Sequence, residues 1–228
     1  MEKLPKMLLT FCLFVAELIY SYCVVLGLQR FGIDITTYSI TTKYQIIIGI
    51  DLSFMFVLFL LYRKTLLKDI TLYFKNFIKN ISIGAKYWAI GLCIMMLSNI
   101  IISYFFPGGS ANEEAVQNVI KQVPIYMIFS TIIYAPFVEE LIFRKSIRDI
   151  IENDYLYVII SGLAFGFVHT LAGATLQELV YIIPYGALGC CFAIMYVKTK
   201  NVYTSMTFHM IHNAIIVFIS IAGNILGS

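Results

Sequence analysis

Apolar residues gather into seven runs along the chain, each near the roughly 20 residues a helix needs to cross bilayer hydrocarbon. They are Leu8 to Leu28, Tyr44 to Tyr62, Tyr87 to Phe106, Ile125 to Phe143, Tyr155 to Leu171, Leu179 to Val197 and Tyr203 to Ile221. The pattern predicts an all-α, polytopic transmembrane helical bundle of about seven helices, a single membrane domain with no internal repeat and no low-complexity linker. Pro107, Gly108 and Gly109 close the third run, and Ser110 with Glu113 makes an S-x-x-E capping box that starts a short helix toward Lys121. That stretch is predicted to be the longest exposed segment on its side of the membrane. Between the second and third runs, Arg63 to Lys86 mixes Leu66, Leu67, Ile70, Tyr73, Phe74, Phe77 and Ile81 with six basic residues. It reads equally well as an amphipathic helix lying on the membrane surface or as a plain basic loop.

Composition supports the same class: 60% of the 228 residues are hydrophobic, 13% are charged and the mean hydropathy is +0.86. A soluble domain carries roughly 25% charged residues. Thirteen of the sixteen lysines and arginines fall before the first run or after the second, fourth and sixth, against Arg30, Lys43 and Lys121 elsewhere. Basic loops stay inside, so the N-terminus is expected in the cytoplasm and the C-terminus outside. The first run is too long for a signal peptide and is interrupted by Glu17, so it is expected to be retained. The net charge of +3 mostly reflects this one-sided distribution and gives no reason to invoke nucleic acid. Cys12, Cys23, Cys93, Cys190 and Cys191 fall within the runs without a C-x-x-C pair, and read as small core residues.

The fourth run carries two adjacent carboxylates, Glu139 and Glu140, followed by Arg144. Each ionised group at membrane depth costs at least about 2.5 to 3.5 kcal/mol, and function is the usual compensation. Glu140 and Arg144 are four apart, stacked for an ion pair, which leaves Glu139, rotated by about 100°, free to point elsewhere. With a turn near Asn153, Glu139 and His169 fall within about 3 Å of the same depth, and His209 lies some 12 Å in from a turn at Asn201. His209 and Asn213 are also four apart and present two hydrogen-bonding groups on one face. A carboxylate, an opposing imidazole and a donor pair are the parts needed to activate water and stabilise an oxyanion. Gly162 and Gly166 form a small-xxx-small face for close helix packing. Glu17 and Asp51 have no partner recognisable from the sequence. They read as buried hydrogen-bonding groups or as cavity-lining residues, and His212 as a packing residue.

The patterns E-E-x-x-x-R (Glu139, Glu140, Arg144), F-x-x-x-H (Phe165, His169) and H-x-x-x-N (His209, Asn213), in this order on three helices, resemble the signatures of the CAAX-protease and bacteriocin-processing (CPBP, or Abi) family of intramembrane endopeptidases. The resemblance implies a four-helix catalytic core over residues 125–228, with residues 1–124 supplying N-terminal transmembrane helices and amphipathic loops. It further implies that Glu139 is the general base, that His169 helps hold the attacking water, that His209 and Asn213 form the oxyanion site, and that Glu140 and Arg144 support them. The implied substrate is a peptide or membrane-anchored protein within the lipid bilayer, with a role in peptide maturation or bacteriocin self-immunity. The richness in Ile, Tyr, Phe, Lys and Asn suits an AT-rich bacterial genome, hence a bacterial cytoplasmic membrane, and disfavours prenylated CAAX substrates.

No metal or other cofactor is expected. In a zinc-dependent alternative, Glu139, His169 and His209 would be the three ligands, although the H-E-x-x-H helix motif is absent. Serine, aspartyl and site-2 zinc signatures of other intramembrane proteases are absent too. Two competing functions fit the same residues: a non-catalytic regulator that binds another membrane protein, and a transporter that uses buried carboxylates and histidines, for which no inverted repeat speaks.

Overall fold

The computed structural model describes residues 3–173 and 175–226, and every regular element among them is helical. The helices are α1 (Lys3–Arg30), α2 (Ile40–Lys75), α3 (Phe77–Phe105), α4 (Ala111–Gln122), α5 (Pro124–Ser146), α6 (Asp154–Thr170), α7 (Ile182–Thr199) and α8 (Val202–Leu226). Six of them are long and apolar enough to cross a membrane, and α6 is an apolar helix of 17 residues. At 1.5 Å per residue α6 spans about 26 Å, close to the hydrocarbon thickness, so the seven predicted runs all appear as helices. The protein is an integral membrane protein.

The helix ends follow local chemistry. The Ser39 hydroxyl accepts the Thr42 N–H at 3.2 Å to start α2, and the Asn153 side chain accepts the Leu156 N–H at 3.0 Å to start α6. The Ser110 hydroxyl likewise accepts the Glu113 N–H at 3.2 Å, so the predicted capping box does start α4. Gly108 and Gly109 before it take φ values of 135° and 77°, which only glycine adopts readily.

Two expectations need correction and a third is refined. Arg63 to Lys86 is neither a surface helix nor a loop: it is the end of α2 and the beginning of α3, parted only at Asn76. Asn76 Nδ2 donates to the Leu72 carbonyl at 3.1 Å and Asn80 Nδ2 to that of Tyr73 at 3.2 Å, so the last carbonyls of α2 are satisfied without a separate connector. The segment that carries α4 is exposed at Pro107, Gly108, Gly109, Glu113, Glu114 and Asn118, as expected, but it is also anchored: Ser110 is buried, its hydroxyl hydrogen-bonds the Tyr185 hydroxyl at 3.1 Å, and Gln117 Nε2 donates to Ser220 Oγ at 2.6 Å. Of the cysteines, Cys191 alone is buried, whereas Cys12, Cys23 and Cys93 are exposed on outward faces that lipid would cover.

The centre of the bundle is the second half of α5, where Val138 and residues 140–144 are buried. On one side α2 packs a stripe at helical spacing, Ile50, Phe54, Leu58, Tyr62 and Leu66. On the other, α6 and α7 meet backbone to backbone: a Cβ on Gly166 would lie 2.8 Å from the Gly186 nitrogen, and one on Gly162 would lie 2.9 Å from the Gly186 carbonyl. The small-residue face read in the sequence is thus a helix contact, and it fixes where His169 stands relative to α5.

Candidate active site

Pro136 shapes the segment that carries the glutamates. A proline inside a helix has no N–H to donate and its ring crowds the carbonyl four residues earlier. Here the helix widens just before it, into a π-helical stretch over Ser130–Tyr134, where the Ala135 N–H reaches back five residues to the Ser130 carbonyl. The Thr131 carbonyl is thereby orphaned, because the next donor in that register would be Pro136. Asn213 Nδ2 of α8 donates to it at 2.8 Å. A second π-helical stretch, Glu140–Ser146, follows directly after Glu139. Its carbonyls are also served by side chains: Ser161 Oγ donates to Phe143 O at 2.8 Å, Tyr157 OH to Arg144 O at 3.2 Å, and Thr10 Oγ1 to Ser146 O at 3.2 Å.

Glu140 and Arg144 form the predicted ion pair, Nε to Oε2 at 3.2 Å, and both side chains are 0% exposed. The guanidinium is held further by Ser161 Oγ, which accepts from Nη1 at 2.9 Å, and lies over the Phe165 ring at 4.8 Å. The other Glu140 oxygen, Oε1, accepts from His209 Nδ1 at 3.0 Å. An ionised carboxylate can only accept, so the proton of this bond sits on Nδ1 and Nε2 faces away from Glu140. Nε2 faces Glu139 instead, with 3.8 Å to Oε2, too long for a direct hydrogen bond. Glu139 therefore does not point elsewhere: wide turns advance less than 100° per residue, and the two neighbouring carboxylates flank one imidazole.

The histidine rings are packed as firmly as they are bonded. His209 stacks on Phe192 with centroids 4.9 Å apart and meets Phe165 edge-on at 5.5 Å. His169 lies against the same Phe165 ring at 4.5 Å and stacks on Tyr185 at 4.7 Å. Its Nδ1 donates to the Phe165 carbonyl at 2.8 Å, which leaves Nε2 for a ligand. Phe165 is thus the partition on which His169, His209 and Arg144 all rest. Glu139, Glu140, Arg144 and His209 meet at the α5–α8 contact, Asn213 meets α5 about two turns earlier at Thr131, and His169 shares the Phe165 ring with His209 and Arg144. Among the described residues, no three His, Cys, Asp or Glu side chains group as a metal ion would require. His212 is buried in α8.

Sequence reasoning did not anticipate three contributors. Ser161 bridges Arg144 and the Phe143 carbonyl, and a serine in an apolar helix was its only signal. Pro136 was visible, and an interior proline is a standard cause of helix distortion. Leu13, Ala16 and Tyr20 of α1 pack in one cluster with Tyr134, Phe137 and Val138. Glu17, on the same turns, comes near enough to Glu139 to interact with it electrostatically. Asp51 also gains a neighbour, Ser21 Oγ, at 3.5 Å.

Residues 121–215 match the family model described as type II CAAX prenyl endopeptidase Rce1-like, a span that contains every candidate site residue. Among curated proteins, the chain is 33% identical over 144 residues to YdiL, a candidate membrane peptidase of Bacillus subtilis, covering 59% of this chain and 56% of the relative. It is 28% identical over 142 residues to the membrane-embedded CAAX protease MroQ of Staphylococcus aureus, covering 57% of this chain and 56% of the relative. It is also 25% identical over 131 residues to the UPF0177 protein YvdC of Lactococcus lactis, covering 54% and 48%. The chain spans about half the length of the curated relatives it matches. No solved structure matches it.

Proposed function

Because the chain belongs, through residues 121–215, to the CAAX-protease (CPBP) family, we propose that it is an intramembrane endopeptidase acting on a peptide or membrane-anchored protein. One observation carries the mechanism: His209 is held between Glu140, which Arg144 neutralises from behind, and Glu139, which has no such partner. A water lying off the line between Glu139 Oε2 and His209 Nε2 can be about 2.8 Å from both. Glu139 takes its proton, and the hydroxide attacks the scissile carbonyl carbon. In the substrate complex His209 takes up a proton from solvent on Nε2, and as an imidazolium held by Glu140 it faces the oxyanion together with the remaining N–H of Asn213, while the free Nε2 of His169 is assigned to the attacking water. Glu139 then returns its proton to the leaving amine, so that one water is consumed for each bond cleaved. Glu140, backed by Arg144, fixes the orientation of His209 through its Nδ1–H and balances its charge.

The distribution of basic residues supports an N-terminus inside and a C-terminus outside, and the bacterial relatives support a bacterial cytoplasmic membrane. Maturation of a secreted peptide or self-immunity to a bacteriocin is the role that suits this reading. The test compares membrane and secreted peptides of cells carrying the intact protein with those of cells carrying Glu139→Ala. A peptide processed only in the former supports the proposal, and identical peptide sets at equal protein abundance refute it.

A further inference from the structure

Outside the candidate site, three spans end together around a strongly basic cavity of about 350 Å³, lined by Lys64, Lys68, Asp69, Lys145, Tyr196 and Lys200 among others. Lys64 and Lys68 are four residues apart on α2, hence on one face, and begin two residues after the apolar run ends at Tyr62. Lys145 follows the buried Arg144 at the end of α5, and Lys200 occupies the turn between α7 and α8. Each lysine stands where its span leaves the hydrocarbon, which puts the cavity at headgroup level.

The charges do not cancel. Lys145 is paired with Asp149. Asp69 is buried and occupied: its Oδ2 accepts the Val202 N–H at 3.1 Å, and its backbone carbonyl accepts Asn201 Nδ2 at 2.6 Å, which pins α2 to the α7–α8 turn. Among the described residues, no carboxylate forms an ion pair with Lys64, Lys68 or Lys200. Lys200 also has φ of 50°, a left-handed conformation in which glycine or asparagine would be less strained. The chain places an ammonium group there at a conformational cost. The volume falls in the range of small-ligand pockets, roughly 300 to 1,000 Å³.

We propose that this cavity binds the phosphate of an anionic phospholipid headgroup, clasping one lipid between α2, α5 and the α7–α8 turn. Basic pockets between transmembrane helices at the headgroup level are suited to such ligands, and lysines there contribute independently of any catalytic residue. The site needs no assumption about peptidase activity.

The test uses the full chain purified in a neutral detergent, with thermal unfolding followed on titration with short-chain phosphatidylglycerol, short-chain phosphatidylcholine or inorganic phosphate. Phosphatidylglycerol is expected to raise the midpoint saturably and phosphatidylcholine to leave it unchanged. Half-saturation should weaken about fivefold for each lysine removed, so Lys64→Gln/Lys68→Gln should need about 25 times more lipid. Lys200→Asn, which keeps the left-handed turn, should weaken binding about fivefold with an unchanged midpoint in the absence of lipid, and so serves if the double variant folds poorly. Lys75→Gln/Lys79→Gln, equally basic but outside the cavity lining, should bind like the unaltered protein. Equal loss in that control would show diffuse surface attraction and overturn the proposal. A full response to inorganic phosphate alone would assign the cavity to a soluble anion instead of a lipid, and no response to phosphatidylglycerol would remove the site altogether.

Discussion

Replacing Glu140 and Glu139 separately by glutamine should produce opposite effects on stability, although the two residues are adjacent. Glu140→Gln removes one partner of an ion pair whose side chains are both 0% exposed, and leaves the Arg144 guanidinium with Ser161 and the Phe165 face as its remaining support. Breaking a buried pair in this way costs about 3 to 5 kcal/mol, most of it the penalty of the stranded charge. The same change weakens the 3.0 Å bond that orients His209, so activity should fall along with stability. Glu139 Oε2 is buried and makes no hydrogen bond, so Glu139→Gln removes a charge without a hydrogen-bonded partner at that oxygen and should leave stability unchanged or improved while abolishing cleavage. Unfolding of the purified variants, together with peptide release in a reconstituted assay, separates the two. The double variant Glu140→Gln/Arg144→Met should recover part of the lost stability, because both charges are then gone, but none of the activity. Full cleavage by Glu139→Gln, or unaltered unfolding of Glu140→Gln with cleavage lost, would reverse the assignment of base and structural partner.

Four further outcomes are expected. Gly166→Ala places a methyl group 2.8 Å from the Gly186 nitrogen, and forcing α6 away from α7 should cost about 1 to 3 kcal/mol in unfolding measurements and displace His169 enough to slow cleavage. Asn213→Ala leaves the Thr131 carbonyl without its donor, at about 1 to 3 kcal/mol, and should lower stability as well as turnover; a purely catalytic loss would contradict the structural half of its role. Prolonged treatment of the purified protein with a strong chelator should leave the proposed peptide cleavage intact, whereas a loss restored by zinc would make Glu139, His169 and His209 metal ligands. A reporter fused after residue 228 should report an external location, and a cytoplasmic signal would overturn the proposed orientation.

Much of the architecture was legible because transmembrane segments obey few rules. Hydrocarbon thickness fixes the length of each run, and every run became a helix. Glu140 and Arg144 met because an i, i+4 pair stays in reach even where the helix widens. Gly162 and Gly166 announced a close helix contact because only a missing Cβ admits another backbone at that distance. The basic stretch after Tyr62 misled because amphipathic composition cannot distinguish a helix lying on a surface from two helix ends that project past it. At 36 residues, α2 is about 54 Å long, far more than the hydrocarbon requires, and its basic end continues the transmembrane helix.

The relation between Glu139 and His209 escaped the sequence for a different reason. Face arguments assume a constant rotation per residue, and α5 departs from it twice within 17 residues, over Ser130–Tyr134 and Glu140–Ser146. Pro136 makes the first departure intelligible, but the partners that tolerate it come from elsewhere in the chain: Asn213 for the Thr131 carbonyl, and Ser161, Tyr157 and Thr10 for carbonyls in the second stretch. None of these pairings is local, so no periodicity records them. The same bonds that stabilise the distorted helix tie α5 to α1, α6 and α8, the elements from which the site is assembled. In the proposed mechanism Asn213 has two duties: one N–H holds the backbone that presents Glu139, and the other is assigned to the oxyanion. A residue with both duties cannot be replaced by one that supplies a single donor, which is why Asn213→Ser should recover less activity than stability.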